Sequence, residues 1–402
     1  MVETRISDSI AERIATIHRR LEAVRERDEY FFNLPVTELR GGARVLVSGR
    51  EMAMFASYGY LGLLGHPRIN AAAREAIDRF GTGTHGVRML AGSLTLHREL
   101  EENIAEFKGT QDAITYSSGY ATNLTVVSTL VGRRDYVFGD KLNHASIVDG
   151  CLLSGARFVR FRHNDPDDLE SRLASAPAEA ARLVVADAVF SMDGDIINLP
   201  RMVDVCRRHH AWLMIDEAHA LGVLGATGRG IEEHFNLAGA IDIKMGTLSK
   251  TIPSVGGYIA GSSELVEFLR HQSRAYLFSA ALPPAQTAAA LEAFRVIREE
   301  PWRLDLLRRN TSLFLTGLKS RGLNTMLSET AIVPVLCGSD ERAFQITREA
   351  HHEDVFVLPV VSPAVPEGMA RLRATVTAAH DPAEIQNAVD VLERAARKVG
   401  VL

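Results

Sequence analysis

The apolar positions of this chain change period along its length, and the changes outline its elements. Ile10, Ile14, Ile17, Leu21 and Val24 step by four, three, four and three, one stripe of an amphipathic helix. Such a stripe needs cover, and the pattern leaves open the protein body, a partner subunit or a membrane surface. Past Gly41-Gly42 come two short extended pieces, ARVLVSG and EMAMFASYGYLGL. INAAAREAIDRFG reads as a helix stopped by Gly81. LTLHRELEENIAEFKG sets Leu96, Leu100, Ile104 and Phe107 at helical spacing before Gly109.

Seven short apolar runs follow: 113–116, 135–138, 157–161, 183–190, 211–216, 241–247 and 257–261. Several are apolar on both alternating faces, as strands covered by helices on each side must be. Their alternation with helical segments predicts an α/β fold with a mostly parallel sheet. After ALPPAQTAAA the flavour changes, with AIVPVL, DVFVLPVV and ARLRATVT set between polar helices, the last begun at Asp381-Pro382. The expected organisation is an N-terminal helix and arm over 1–50, a large domain over 51–289 and a smaller C-terminal α+β domain over 290–402.

Composition narrows the function. At 402 residues, the chain has room for roughly two to three domains. Its 46% hydrophobic and 24% charged residues are those of a soluble globular protein. Net charge is −5 with no dense basic run, so no nucleic-acid surface is expected. Cys151, Cys206 and Cys337 are odd in number and form no CxxC pair, which reads as reduced, buried thiols and a cytoplasmic setting. The charged N-terminus is no signal peptide, and no run reaches the ~18 apolar residues of a transmembrane segment. No metal-ligand spacing stands out, and no metal is expected.

The stretch LMIDEAHALG, 213–222, poses the chemical question. Asp216-Glu217-Ala218-His219 spells the box of a nucleotide-driven helicase, but that motor needs GxxxxGK[ST] on an earlier strand-to-helix turn. The nearest candidate, GTLSKT at 246–251, lacks the second glycine and follows the box instead of preceding it. Three strand ends instead supply a different set. Asp216 offers a carboxylate at the carboxyl end of a strand, where open α/β sheets bind ligands. Lys250 offers an amine beside the hydroxyls of Thr247 and Ser249. Ser117-Ser118-Gly119-Tyr120 opens a helix whose N–H groups suit a phosphate. Pyridoxal 5'-phosphate needs all three: a lysine for its aldehyde, an acid to keep its ring nitrogen protonated, and an anchored phosphate. His219 is spaced to meet the ring hydroxyl.

In order along the chain, GTGTHGVRMLAGSLTLHRELE, TYSSGYATNL, LNHASIVDG, VFSMDGDIINLP, IDEAHALGVLGATGRG, GTLSK, LFSAALPP and RLRATVTAAH resemble the α-oxoamine synthases. These are fold-type I pyridoxal-phosphate enzymes, and the resemblance runs from about residue 50 to 400. It implies a seven-stranded, mostly parallel sheet in the large domain. It also implies Lys250 as the imine lysine, Asp216 on the ring nitrogen, His219 on the ring oxygen and His144 on the ring face. Ser191 matches a polar contact near the ring. Ser118, Gly119, Tyr120, Thr247 and Ser249 match the phosphate site, and Ser279 would approach the partner's phosphate in a homodimer with shared active sites. Arg373 matches the arginine that grips the amino-acid carboxylate. Tyr58 and Arg88 are the further substrate-binding candidates.

The implied reaction is a decarboxylating condensation of an amino acid with an acyl-CoA or an acyl-carrier protein. Within the family, SYGYLG, VRFRHNDPDDLESRL and VVSPAVPEG are similar to bacterial serine palmitoyltransferase text, which points to L-serine and a long-chain acyl-CoA. A glycine- or alanine-using relative, such as 8-amino-7-oxononanoate synthase or 2-amino-3-ketobutyrate CoA ligase, is the alternative. Val87, Pro253 and Val361 depart from the family pattern. A fold-type I aminotransferase and a silent partner subunit are lesser alternatives, and the presence of Lys250 argues against the second.

Overall fold

The computed structural model describes residues 9–27 and 29–402. The first residues of the charged N-terminus lie outside the described residues. All seven apolar runs become strands of one sheet, in the spatial order Asp112–Tyr116, Gly257–Gly261, Ile243–Thr247, Trp212–Asp216, Arg182–Asp187, Tyr136–Asp140, Arg157–Phe161. Five run parallel in succession, while Gly257–Gly261 pairs antiparallel with both its neighbours. The reason is length. Only residues 248–256 separate it from the preceding strand, too few for the crossover of a dozen or more residues that a parallel partner requires.

Burial explains the continuous apolar runs. Along Arg182–Asp187, Val184 joins a cluster with Leu100, Phe107, Phe138 and Phe294 on one face. Its neighbour Val185 joins Ile114, Val126, Ile147 and Met245 on the other. With both faces dry, the central positions Leu183, Val184, Val185 and Ala186 are all apolar, a large aliphatic side chain being worth about 1.5–3 kcal/mol when fully buried.

The helices end where the local chemistry says they should. Pro67–Phe80 stops at Gly81, with φ of 79°, and Thr95–Lys108 stops at Gly109 in the left-handed conformation. Pro382–Lys398 starts with a capping box between Asp381 and Glu384.

A second core gathers Phe314, Val333, Ile346, Leu372, Ile385 and Val389 around a three-stranded sheet, Ile332–Gly338, Ala370–Thr375 and Pro359–Val360. Phe55 belongs to this core. The two extended pieces in the arm become strands Arg44–Val47 and Arg50–Met54 of a four-stranded sheet that borrows Val355–Phe356. The segment leading to Tyr58 and Tyr60 therefore starts on the small core and crosses to the large one, where Tyr60 and Leu61 are buried.

The N-terminal stripe forms the helix Ser9–Glu26, but Ile10, Ile14 and Ile17 are 67%, 65% and 56% exposed, with only Val24 buried. The described residues cover the Leu21 and Val24 end of that face and leave its Ile10, Ile14 and Ile17 end open. Cys151, Cys206 and Cys337 are free and buried, and burial pushes each thiol up to about 12. Among the described residues no helix is long and apolar enough to cross a membrane.

Candidate active site

The carboxyl ends of three adjacent strands converge, and a residue from the small sheet reaches them. Lys250 lies just past Ile243–Thr247, and its Nζ stands 2.9 Å from His219 Nε2. The other ring nitrogen, His219 Nδ1, stands 2.6 Å from the Tyr60 hydroxyl. Burial, then the positive charges of Lys250, Arg373 and His144, hold His219 well below its usual pKa. The imidazole is neutral and shares hydrogen bonds without carrying charge. Burial also lowers the Lys250 ammonium to about 8; Arg373 adds to the effect, while Asp216 and Asp187 oppose it. An amine with that pKa is free in a useful fraction near neutrality.

Asp216 ends Trp212–Asp216 and is buried. Its Oδ2 accepts from Asn123 Nδ2 at 2.7 Å and its Oδ1 from the Ala218 N–H at 2.9 Å. A carboxylate accepts about four hydrogen bonds, so lone pairs are left for a ligand. Asn123 also donates to Ser146 Oγ at 2.9 Å, and that hydroxyl meets His144 Nδ1 at 2.7 Å. His144 caps the helix Ala145–Ser154, and its backbone N–H donates to Asp187 Oδ2 at 2.8 Å. Burial, helped by Lys250 and opposed by Asp216, lowers His144. Asp187 lies directly across from Asp216 in the strand pair, and burial followed by that neighbouring charge raises its carboxyl well above the usual range.

Arg373 comes from Ala370–Thr375 and is 6% exposed. Its Nε donates to the Ser191 carbonyl at 2.6 Å and its Nη1 to Thr375 Oγ1 at 3.3 Å. Its Nη2 is buried without a hydrogen-bond partner among the described residues. A buried unpaired donor costs about 1–3 kcal/mol, more when charged, so this nitrogen is a ready anchor for a carboxylate. The Tyr58 ring lies 4.7 Å from the guanidinium, 5.8 Å from Lys250 Nζ and 5.9 Å from the His219 ring centre.

The phosphate candidates assemble at the start of Gly119–Leu130. Ser118 caps that helix, accepting from the Ala121 N–H at 3.0 Å, and the Gly119 and Tyr120 N–H groups belong to its open first turn. Thr247 Oγ1 lies 2.9 Å from Ser249 Oγ and donates to the Gly256 carbonyl at 3.1 Å. A Cβ at Gly119 would come within 3.0 Å of Thr247 Oγ1, and one at Gly257 within 2.7 Å of Gly119 Cα. Glycine at both positions lets helix and strand approach closely enough to make a single cradle.

Not every candidate joins. Arg88 is turned into the large domain, where its Nη1 lies 2.7 Å and its Nη2 3.1 Å from the two Glu101 oxygens. Ser279 Oγ lies 3.4 Å from Ser117 Oγ of its own chain, beside the cradle. Tyr120 points its hydroxyl to Asp149, and Ser191 contributes its carbonyl to Arg373. Reading by residue type alone overlooks Tyr60, Asn123 and Asp187. No sequence period marks Tyr60: a tight turn in which its N–H donates to the Tyr58 carbonyl at 2.9 Å brings both rings to His219.

A carboxylate, a depressed-pKa lysine beside a neutral histidine, an N–H cradle with hydroxyls and an unpaired arginine together fit pyridoxal phosphate and an amino-acid substrate. The comparisons with known proteins agree. Residues 50–392 match the family described as aminotransferase class I and II. The chain is 46% identical over 364 residues to an 8-amino-7-oxononanoate synthase of Geobacter sulfurreducens, covering 90% of this chain and 93% of that one. It is 38% identical to a serine palmitoyltransferase of Sphingobacterium spiritivorum, covering 93% and 94%. Among solved structures it is similar to a serine palmitoyltransferase from S. paucimobilis with a bound PLP–myriocin adduct, at a TM-score of 0.95 and 35% identity, covering 98% of this chain and 100% of that one. The chain therefore belongs to the class I and II aminotransferase family, and within it to the α-oxoamine synthases, fold-type I acyltransferases that depend on pyridoxal phosphate.

Proposed function

We propose that this site condenses a small α-amino acid with an acyl thioester, releasing carbon dioxide and the thiol and leaving a 2-amino ketone. The observation that carries the reading is Arg373 Nη2, a buried cationic donor without a partner among the described residues, in the same cluster as Lys250. A site for an α-amino acid needs an anchor for its carboxylate near the amine that handles its nitrogen, and this chain supplies both.

When bound, pyridoxal phosphate supplies an aldehyde for the amino group and a protonated ring that withdraws electrons from Cα. In this reading Lys250 would hold the cofactor covalently, and its amine would move the Cα proton. His219, neutral, would donate to the ring hydroxyl while Tyr60 fixes its orientation. Asp216, held by Asn123 and Ala218, would pair with the ring nitrogen. Gly119 and Tyr120 N–H groups, with Ser118, Thr247, Ser249 and Ser279 nearby, would hold the phosphate. His144 would pack against the ring, and Arg373 with Tyr58 would orient the carboxylate. The site is shared between the two subunits of a homodimer, and the exposed stripe at Ile10, Ile14 and Ile17 is a natural candidate for burial there.

Between the family's substrates, the sequence relatives favour a synthase of the 8-amino-7-oxononanoate type, working on alanine or glycine. Serine with a long-chain acyl-CoA is the second reading, favoured by Tyr58 lying over Arg373 where glycine- and alanine-using members often carry asparagine. A matrix of alanine, glycine and serine against short and long acyl groups, on CoA and on carrier protein, separates the two by thiol release. Turnover is expected with one amino acid well above the others. Amino transfer to a keto acid without carbon dioxide or thiol release would overturn the condensation reading altogether.

A further inference from the structure

Outside the cluster just described, one histidine among the described residues has both ring nitrogens on carboxylates. His163 Nδ1 lies 3.1 Å from Asp140 Oδ1, and its Nε2 lies 3.0 Å from Asp195 Oδ2. A neutral imidazole has one N–H and one lone pair, so it would aim that lone pair at a carboxylate. Both nitrogens facing carboxylate oxygens requires two N–H groups, an imidazolium. Burial alone would lower its pKa, but the hydrogen bonds and charges of Asp140 and Asp195 prevail and raise it to about 10. Phe190 meets the ring edge-on, with centres 4.3 Å apart.

The two acids belong to different loops of the site. Asp140 ends Tyr136–Asp140, accepts from the Leu142 and Asn164 N–H groups, and starts the turn that carries Asn143 and His144. Asn143 donates to the Val185 carbonyl and accepts from the Asp187 N–H, fixing where His144 begins. Asp195 lies in the 190–196 loop, which gives the Ser191 carbonyl to Arg373 and Asp193 to Arg371. Asn164, next to His163, donates to the Ile196 carbonyl and so adds a second stitch between the same loops. From the small sheet, Arg371 and Arg373 pull on the 190–196 loop; from the turn after Arg157–Phe161 of the large sheet, His163 holds it.

We propose that His163 is a positioning residue: as a cation between Asp140 and Asp195 it fixes the separation of the His144 turn from the loop that seats Arg373. It thereby sets how tightly the amino-acid carboxylate is gripped. The inference rests on the reading of His144 and Arg373 given under the proposed function. Its mark is a split between substrates and cofactor. Lys250, Asp216 and the Gly119 turn are anchored on other strands, so a loosened 190–196 loop weakens amino-acid binding more than cofactor binding, which loses only the fit of His144.

The test uses the holoenzyme, with amino-acid dissociation constants from titrations followed by cofactor absorbance and cofactor constants from separate titrations. His163→Gln keeps one hydrogen bond and removes the charge. It is expected to weaken amino-acid binding about tenfold, the scale of a sub-ångström misplacement, with a clearly smaller change in cofactor affinity. Asp195→Asn, which leaves the Asp140 pair in place, is expected to show a smaller change of the same sign and carries the test if His163→Gln does not fold. Unchanged amino-acid affinity in both variants, or cofactor affinity falling in step with it, overturns the inference. Arg373→Lys runs alongside. If it too leaves amino-acid binding intact, the carboxylate assignment itself has failed; if only the His163 and Asp195 variants are silent, that assignment stands and the positioning role is lost.

Discussion

Glu101 and Lys250 lie in clusters of similar charged residues, yet the first is closed and the second open. Glu101 is fully buried. It takes a bidentate pair from Arg88, the Thr115 N–H at 3.0 Å and the Thr115 hydroxyl at 2.9 Å. Arg270 continues the network to Asp112 at 2.9 Å, where Arg98 closes it at 2.8 Å. Around Lys250 the charges are deliberately unequal. One arginine nitrogen has no partner among the described residues, the lysine is lowered to about 8, and burial and the neighbouring Asp216 raise the Asp187 carboxyl well above its usual range. A closed network stabilises one conformation, whereas an open one stores binding capacity for a ligand. Residue type alone does not separate them. Satisfaction does.

The sharpest way to break this contrast is Lys250→Ala. It is expected to reduce thiol release by at least about 10³-fold, the scale of losing the covalent and proton-moving group, with thermal unfolding at or above that of the parent. Glu101→Ala should do the reverse. Stranding the buried Arg88 is expected to cost about 3–5 kcal/mol in denaturant unfolding, and the fraction that stays folded should keep its amino-acid affinity. If Glu101→Ala instead left stability intact and abolished activity, the closed network would belong to the site after all. Arg373→Lys, which replaces a planar fork by a point charge, is expected to raise the amino-acid KM by roughly ten- to a hundredfold with a smaller effect on kcat.

The smallest effect is a pH profile. Capture of pyridoxal phosphate by the cofactor-free protein needs the unprotonated amine. Its rate is expected to rise about tenfold per unit at low pH and to level off near pH 8, where the buried lysine has lost its proton, instead of near 10.4 for an exposed one. Stopped-flow absorbance follows it directly. A plateau only above pH 10 would mean that Lys250 is no more desolvated than a surface lysine.

Much of this was legible in the chain. The seven sheet strands announce themselves because both faces are dry, and Gly81, Gly109 and Asp381-Pro382 mark helix ends by local chemistry alone. Asp216, His219, Lys250 and His144 follow from motif order. The direction of Gly257–Gly261 was not legible from its apolar pattern, which is the same in either orientation; the short connection decides it. Arg88 shows the other limit. Its motif neighbours say that it matters, but only the position of Glu101 across the fold shows where its guanidinium goes. Asn123 is an ordinary letter until the helix Gly119–Leu130 packs it against Asp216, and Asp187 until the sheet sets it beside Asp216 and the His144 N–H. The stripe Ile10, Ile14, Ile17 has the right period and forms its helix, yet a period names a face and never the surface that will cover it.

Consecutive residues where Trp212–Asp216 ends point in opposite directions. Asp216 enters the ligand cluster, while Glu217 turns back to meet Lys108 Nζ at 2.6 Å in a pair that is almost wholly buried. Inserting a single residue within that strand would turn Asp216 toward the wall where Glu217 stands, and deleting one would bring Glu217 to the place of Asp216. The reading frame of side chains at this edge is thus as much a determinant of chemistry as the residues themselves, and spacing here tolerates less change than identity.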